Sequence, residues 1–600
     1  MLRTLRHHDG TRFRDLNHNG TMEPYEDPRL PIDERVADLL GRMTLEEKAG
    51  LMCCGRMIPG DGARIPSGAE LIGERGVNTF GLTAMPSPVE TARWNNHVQD
   101  LAAATRLGIP VTLASDPRHG FTENPATAFT GGAFSRGPEP IGLAATDDPA
   151  LVEEYAATIA AELRAVGVRV AIHPMADLAT EPRKPRTSGT FGEDADRAGR
   201  VLAGYIRGMQ GERLGPDGVA CMTKHFPGGG PQEGGEDPHF AYGTRAVYPG
   251  GNLDYHLKPF EAAFEVGTAQ VMTCYSIPMG TALAEVGSSF NRDVLTGLLR
   301  ERYGFDGVVC SDFNVLTGME IPGLVALPPR NWGVEHLTVA EQAVLMLHAG
   351  VDQFGGETRS DLIVDAVRSG AVDEARIDAS ARRILRDKFR LGLFDDPYVD
   401  PEAAERVVGH PARVELGRRV QRRSLVRLTG EPFADTPGRR LYVENIDPEV
   451  AARYGTVVER PEDADLAVIR IDAPYEAREG LLERHFHAGS LDFPAAEVER
   501  LRALCATVPT TVDVFLDRAA VLTPLAECAA ALIADFGADD DLVLDAAFGR
   551  TPTPGTLPFD LPSSMEAVLN SREDVPFDTR DPLFRCGHPH ATRDDLGARA

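Results

Sequence analysis

Six short apolar runs in the first 360 residues end in side chains with chemical reach. They lead into Asp116-Pro117-Arg118-His119, Asp177, Lys224-His225, Tyr275, Ser311-Asp312 and Asp352. A carboxylate at the mouth of a buried strand is costly unless it is paired or working. Taken singly, each has a bland reading: Asp116 before Pro117 starts a turn, and Lys224 with Asp312 makes a structural ion pair. Taken together, polar ends repeated in register favour a site. Its chemistry follows from what is present. There is no HExxH, no His/Cys set with zinc spacing and no GxSxG elbow. Gly228-Gly229-Gly230 follows a strand-like run, but Pro231-Gln232-Glu233 does not open a phosphate-binding helix. What remains is carboxylates with the donors Arg183, Lys224, His225 and Tyr275. That mixture suits a polyhydroxylated ligand, and two carboxylates across a glycosidic bond supply a nucleophile and an acid/base.

The elements that would position these residues alternate. Strand-like runs fall at 77–83, 109–115, 168–175, 219–224, 269–275, 307–311 and 350–354, with helical stretches between them. One helix is expected from Pro149 to Val166, capped by Asp147 or Asp148 and stopped by Gly167. Another is expected from Ile377 to Leu391, capped by Asp378. Such alternation predicts right-handed βαβ units closing into a (β/α)8 TIM-like barrel, whose chemistry sits at the strand ends. A second α/β set follows, with strands at 440–444, 466–471, 511–516 and 531–534. The expected division is an irregular extension over 1–30, the barrel over 31–395, a turn-rich linker over 396–425 and an α/β sandwich over 426–600.

Composition sets outer limits. Six hundred residues exceed one core. A net charge of −28 argues against nucleic acid or an anionic membrane as partner. No run of about 18 apolar residues occurs, and the first residues lack the apolar centre of a secretion signal. The eight cysteines do not form a disulfide pattern, and Cys53-Cys54 lacks CxxC spacing. A reducing cytoplasm is the expected compartment, with the protein a monomer or a homodimer. Asp15-Leu16-Asn17-His18-Asn19-Gly20, with Glu26 beyond, fits the calcium-loop pattern, so Asp15, Asn17, Asn19 and Glu26 are candidate ligands for a structural Ca2+. The competing reading is an Asn/Gly turn, since no helix precedes it and Pro24 interrupts it. No other cofactor is required.

Several stretches resemble glycoside hydrolase family 3. They are Arg106 to Val111, Glu181-Pro182-Arg183 with Phe191-Gly192-Glu193-Asp194, Lys224-His225-Phe226, and Gly307 to Asp312. Later ones are Ile377-Asp378 through Phe394-Asp395, Gly555 to Phe559 and Asp581 to Phe584. The resemblance runs in order over about residues 35–590. It implies a retaining, exo-acting β-glycosidase, most often a β-glucosidase, acting on β-glucosides or short β-glucans. It further implies Asp312 as nucleophile, with Asp116, Arg183, Lys224, His225 and Tyr275 holding the sugar. Two positions depart from the family's pattern: Phe313 and Lys184 stand where the family usually has tryptophan, which bears on the identity of the sugar.

In two-domain members the acid/base is usually a Glu on a loop of the second domain. Here that resemblance falls on Asp472 to Gly480, with Glu476 first choice and Glu479 second; the bland reading is a pair of solvated loop glutamates. One-domain β-N-acetylglucosaminidases of the family carry an Asp-x-His dyad instead. Asp237-Pro238-His239 has that form, which makes His239 an alternative acid/base and β-N-acetylglucosaminidase an alternative activity. A non-catalytic carbohydrate-binding protein on the same folds is the reading from another class.

Overall fold

The structure is a computed structural model, describing residues 4–59, 68–125, 127–129, 132–321 and 325–589. Eight parallel strands form the first sheet: β1 (Cys53–Met57), β2 (Thr79–Leu82), β3 (Thr112–Ser115), β4 (Val168–Ala171), β5 (Ala220–Phe226), β6 (Gln270–Thr273), β7 (Val308–Cys310) and β8 (Phe354–Gly355). They run in chain order around the sheet, with β8 returning to pair with β1. Cys310 bridges Gln353, and Ser311 donates its N–H to the Gln353 carbonyl at 2.9 Å, which closes the barrel between β7 and β8. β1 was not anticipated from the sequence: Cys53-Cys54-Gly55 lacks the β-branched signature, and only burial between β8 and β2 makes it a strand.

Local signals set the barrel helices. α1 (Pro149–Ala165) starts where Asp148 accepts the Leu151 N–H at 3.1 Å, with Pro149 in the first turn. α2 (Glu374–Arg390) starts earlier than its expected cap: Asp373 caps it, and Asp378 instead pairs with Lys48 at 2.7 Å. The segment expected as a linker is largely helical, with Pro401–Val407 and Pro411–Ser424 both regular. These helices lie on the barrel, where the Gly409 N–H reaches Glu162 and Gln421 reaches the Arg136 carbonyl. The extension expected as irregular contains a two-stranded hairpin, Thr4–Arg6 with Arg12–Arg14.

The second domain holds a six-stranded sheet. In chain order its strands are β9 (Val426–Thr429), β10 (Arg440–Glu444), β11 (Thr456–Val457), β12 (Leu466–Asp472), β13 (Thr510–Phe515) and β14 (Ala531–Asp535). Their spatial order is β9-β14-β13-β12-β10-β11, and only β9 is antiparallel. Both faces are apolar: Ile469, Val512 and Leu532 lie in one cluster, Val468, Leu441 and Ile533 in the other. That split is the period-2 alternation of the strands, and it makes the domain a sandwich of sheet between helices.

The two domains are tied beside the barrel mouth. Glu193 accepts N–H bonds from Asp560 and Phe577 of the second domain, and its own N–H reaches the Pro558 carbonyl at 3.1 Å. At Gly192 a Cβ would sit 2.3 Å from the Pro558 oxygen, so only glycine permits this approach. Burial and the neighbouring Asp560 push the Glu193 carboxyl well up from its usual range.

Candidate active site

Asp312 stands just past β7, where Val308, Val309 and Cys310 are fully buried and fix the strand's end. Its N–H is held by Thr273 Oγ1 at 3.1 Å, and its Oδ1 accepts the Phe313 N–H at 2.7 Å. Oδ2 is buried and has no hydrogen-bond partner among the described residues. A buried carboxylate oxygen without a partner needs a reason. The reason here is the cleft it faces, lined by Arg56, Asp116, Arg186, Lys224, His225, His239, Tyr275, Asn314 and Arg330.

β5 supplies two of these groups. Lys224 Nζ lies 3.1 Å from Asp116 Oδ1, the residue past β3. His225 is held from behind: Asp177 takes its Nδ1 at 2.8 Å and its N–H at 3.1 Å. Its Nε2 then points at Asp312 Oδ2, 3.7 Å away, with Arg186 Nη1 at 3.5 Å. Burial alone would raise the Asp177 carboxyl, but His225 and Lys184 outweigh it and hold it well below the usual range. Burial pulls His225 down against the pull of Asp177. Tyr275 donates to the Phe313 carbonyl at 2.6 Å, and burial, then the Asp312 charge, pushes its hydroxyl well up. Asp177 thus keeps its charge and Tyr275 its proton without solvent, and the hydrogen bonds hold the whole set as fixed donors and acceptors for sugar hydroxyls.

Of the two arginines of this loop it is Arg186 that lines the cleft, which corrects the expectation of Arg183. Arg183 turns away to form a bidentate pair with Glu181, at 2.7 and 2.8 Å, and does not line the cleft. Arg186 reaches Asp237 Oδ2 at 2.9 Å, and its guanidinium is held charged by Asp237, Asp177 and Asp312 despite burial. The signal was in the sequence as the second arginine of Glu-Pro-Arg-x-x-Arg, but no periodicity marks which arginine of an irregular loop faces inward. Lys184 lies behind His225, donating to the Gly229 carbonyl at 2.5 Å. Asp352 is also not a cleft residue: fully buried, it binds Arg300, Ser380 and Arg383. Arg56 and Arg330 were missed, Arg56 because its strand was missed. Arg56 lies 4.7 Å over the Phe313 ring, which is itself buried.

The second domain meets the cleft through its β12–β13 loop, though not through the expected glutamates. Glu476 is pinned at the base of the loop: its N–H bonds the Ala488 carbonyl at 2.9 Å and its Oε1 accepts the Ser490 N–H at 3.2 Å. Glu476 and Glu479 are exposed and line no part of the cleft. Leu482 lines it instead, and Phe486 lies 5.2 Å from the His239 ring and 5.1 Å from Phe240. Arg478 pairs with Glu236 at 2.7 Å, and Asn124 donates to the His485 carbonyl at 2.9 Å, so the loop is latched to the barrel at two points. His239 Nδ1 is held by Asp237 Oδ1 at 2.7 Å, and Nε2 has no hydrogen-bond partner among the described residues. Burial lowers the His239 imidazole while Asp237 opposes it, and the net direction is down. Beyond Lys224 and Arg186 the cleft adjoins a second cavity of about 420 Å³, lined by Glu123, Asp472, His487 and Asp517 among others. Tyr475, 43% exposed, stacks on the His487 ring at 3.8 Å on its wall, and His487 is held by Asp517 at 2.6 Å.

This geometry agrees with comparisons to known proteins. The sequence profile of the glycosyl hydrolase family 3 N terminal domain matches residues 69–386. The chain is 49% identical to the probable beta-glucosidase C of Aspergillus flavus, over 94% of this chain and 91% of that one. It is 42% identical to the periplasmic beta-glucosidase/beta-xylosidase of Dickeya chrysanthemi, over 97% and 94% of the two chains. Among solved structures, a β-glucosidase from Erythrobacter marinus shares the fold at a TM-score of 0.77 and 23% identity, covering 94% of this chain and 83% of that one. The chain belongs to glycosyl hydrolase family 3 and is a glycoside hydrolase of barrel-plus-sandwich architecture.

Proposed function

We propose that this family 3 hydrolase is an exo-acting, retaining β-glucosidase with Asp312 as nucleophile. The observation that carries the reading is the free, buried Oδ2 of Asp312 inside a ring of fixed donors and acceptors. In the first step Oδ2 attacks the anomeric carbon, the glycosidic C–O bond breaks, and a protonated aglycone leaves a glycosyl ester on Asp312. Water then cleaves that ester and restores the carboxylate. Asp116, Arg186, Lys224, His225 and Tyr275 hold the terminal sugar. The outer cavity takes the aglycone, with β-glucosides and short β-glucans as the substrate class; the named activities of the relatives support this class.

His239 is the acid/base in this reading. Of the three candidates it is the one in the cleft, and Asp237 fixes its tautomer so that Nε2 is the atom presented. The same pair favours the second reading, β-N-acetylglucosaminidase. A 2-deoxy-2-fluoroglucoside with an activated leaving group tests the first: the expected outcome is a trapped glycosyl adduct on the peptide carrying Asp312. Labelling elsewhere overturns the nucleophile. A kcat/KM for the aryl N-acetylglucosaminide above that for the aryl glucoside assigns the second reading instead.

A further inference from the structure

The Asp15–Glu26 turn has no part in the cleft, yet it buries carboxylate oxygens that no described residue hydrogen-bonds. Asp15 is 3% exposed; its Oδ2 accepts the Gly20 N–H at 3.1 Å, which turns the carboxylate into the loop. Its Oδ1 is buried without a partner, and so is Glu23 Oε2. Glu26 is also 3% exposed and is held by two backbone N–H groups, from Leu16 at 2.6 Å and Glu23 at 3.0 Å. The nearest cation is Arg42, 3.7 Å from Glu23 and already forked onto Asp38. Burying unpaired carboxylate oxygens is expensive, and a bound cation is the usual remedy.

We propose that this turn is a calcium site, with the side-chain oxygens of Asp15, Asn17, Asn19, Glu23 and Glu26 and the main-chain carbonyl of Thr21 as its donors. Those residues stand at positions 1, 3, 5, 9, 12 and 7 of a twelve-residue loop, and position 6, where such loops turn sharply, is Gly20 at φ 78°. No group of three His, Cys, Asp or Glu side chains is gathered for a metal among the described residues, so Asp15, Glu23 and Glu26 would have to draw together as the cation binds. The donors here include amide and backbone oxygens, a mixture that selects a hard cation with many ligands. The loop sits at the closed end of the barrel: His18 bonds the Ala103 carbonyl at 2.8 Å, and the adjoining Arg14 bonds the carbonyls of Leu393 and Phe394. Tyr25, fully buried within it, packs on the first barrel helix, Ile32–Arg42, whose Arg35 takes the Tyr25 carbonyl at 3.1 Å. Calcium here would fasten the N-terminal segment to the end of the barrel that governs stability rather than catalysis.

The test uses the full chain stripped with EDTA. Added Ca2+ is expected to raise Tm by several degrees, and bound Tb3+ is expected to luminesce on excitation of the neighbouring Tyr25. Asp15→Ala and Asn17→Ala are expected to lose both responses while kcat/KM on an aryl glucoside at 25 °C is unchanged; two variants are used in case one folds poorly. Absence of any Ca2+ response in the stripped wild type overturns the site. So does a response that survives in both variants, or one matched by Mg2+.

Discussion

The cleft has two unlike walls. The barrel wall is made of strand ends, where Lys224, His225, Tyr275 and Asp312 are buried, Asp116 is half-buried, and each is held by hydrogen bonds within the barrel. The sandwich wall is a loop, latched by Arg478–Glu236 and Asn124–His485, and what it brings to the cleft is apolar: Leu482 and Phe486. The difference teaches a division of labour. Charged groups that must keep fixed geometry belong on a closed sheet, whose strand register leaves them little freedom. A loop from another domain can exclude water and shape the outer cavity without holding a charge at a fixed distance. Phe486 does this beside His239, and burying such a ring contributes about 1.5–3 kcal/mol to the docking.

Four substitutions bear on that division. The largest effect is expected at the barrel wall: Asp312→Asn should lower kcat by roughly 10⁵–10⁶-fold, the scale of removing a nucleophile. Circular dichroism and Tm checked in parallel would show that folding is intact; retained activity would break the assignment of chemistry to that wall. Next comes His239→Ala, expected to lose about 10²–10⁴-fold on aryl glucosides with poor leaving groups. Loss should be slight with 2,4-dinitrophenol as leaving group, and azide should restore turnover. Glu476→Ala, on the loop, should change little. If the azide rescue appears in Glu476→Ala or Glu479→Ala instead, the loop moves in to supply the acid and the comparison fails.

A pH profile sharpens the same point. A general acid works only while protonated, and burial holds His239 below the ordinary imidazole range, so the alkaline limb of kcat/KM should begin on the acid side of that range. Asp237 opposes that lowering. Asp237→Asn removes the opposition, so the limb should shift to still lower pH; an unmoved limb would exclude His239 as its source. A smaller effect than those at Asp312 and His239 belongs to the outer cavity. Tyr475→Ala should raise KM for disaccharides and aryl glucosides by about 2- to 12-fold, the worth of one aromatic contact, with kcat held.

The architecture was largely readable in advance because it is local. Apolar runs of strand length, Asp148 before α1 and the Pro and Gly punctuation are each decided within a few residues. Strand ends such as Lys224-His225 and Ser311-Asp312 followed from that reading, since a strand aims its last residues outward from the barrel. β1 escaped because Cys53-Cys54-Gly55 has no strand propensity of its own and is made a strand by its neighbours. The helices at 401–407 and 411–424 escaped for a related reason: their short amphipathic faces are settled by packing on the barrel.

What the sequence determined by itself is therefore the alternation, the barrel and the carboxylate at the end of its seventh strand. Tertiary structure alone decided three things. It chose Arg186 over Arg183, because Glu181 captures the latter two residues away. It put His239 in the cleft and left Glu476 outside, because a short antiparallel bridge to Ala488 fixes where the loop can turn. It joined Gly192 to Pro558 across 366 residues of chain, a contact set by sterics between domains that no local pattern encodes. Side chains on regular elements inherit their direction from the backbone; those on loops receive it from whatever they meet.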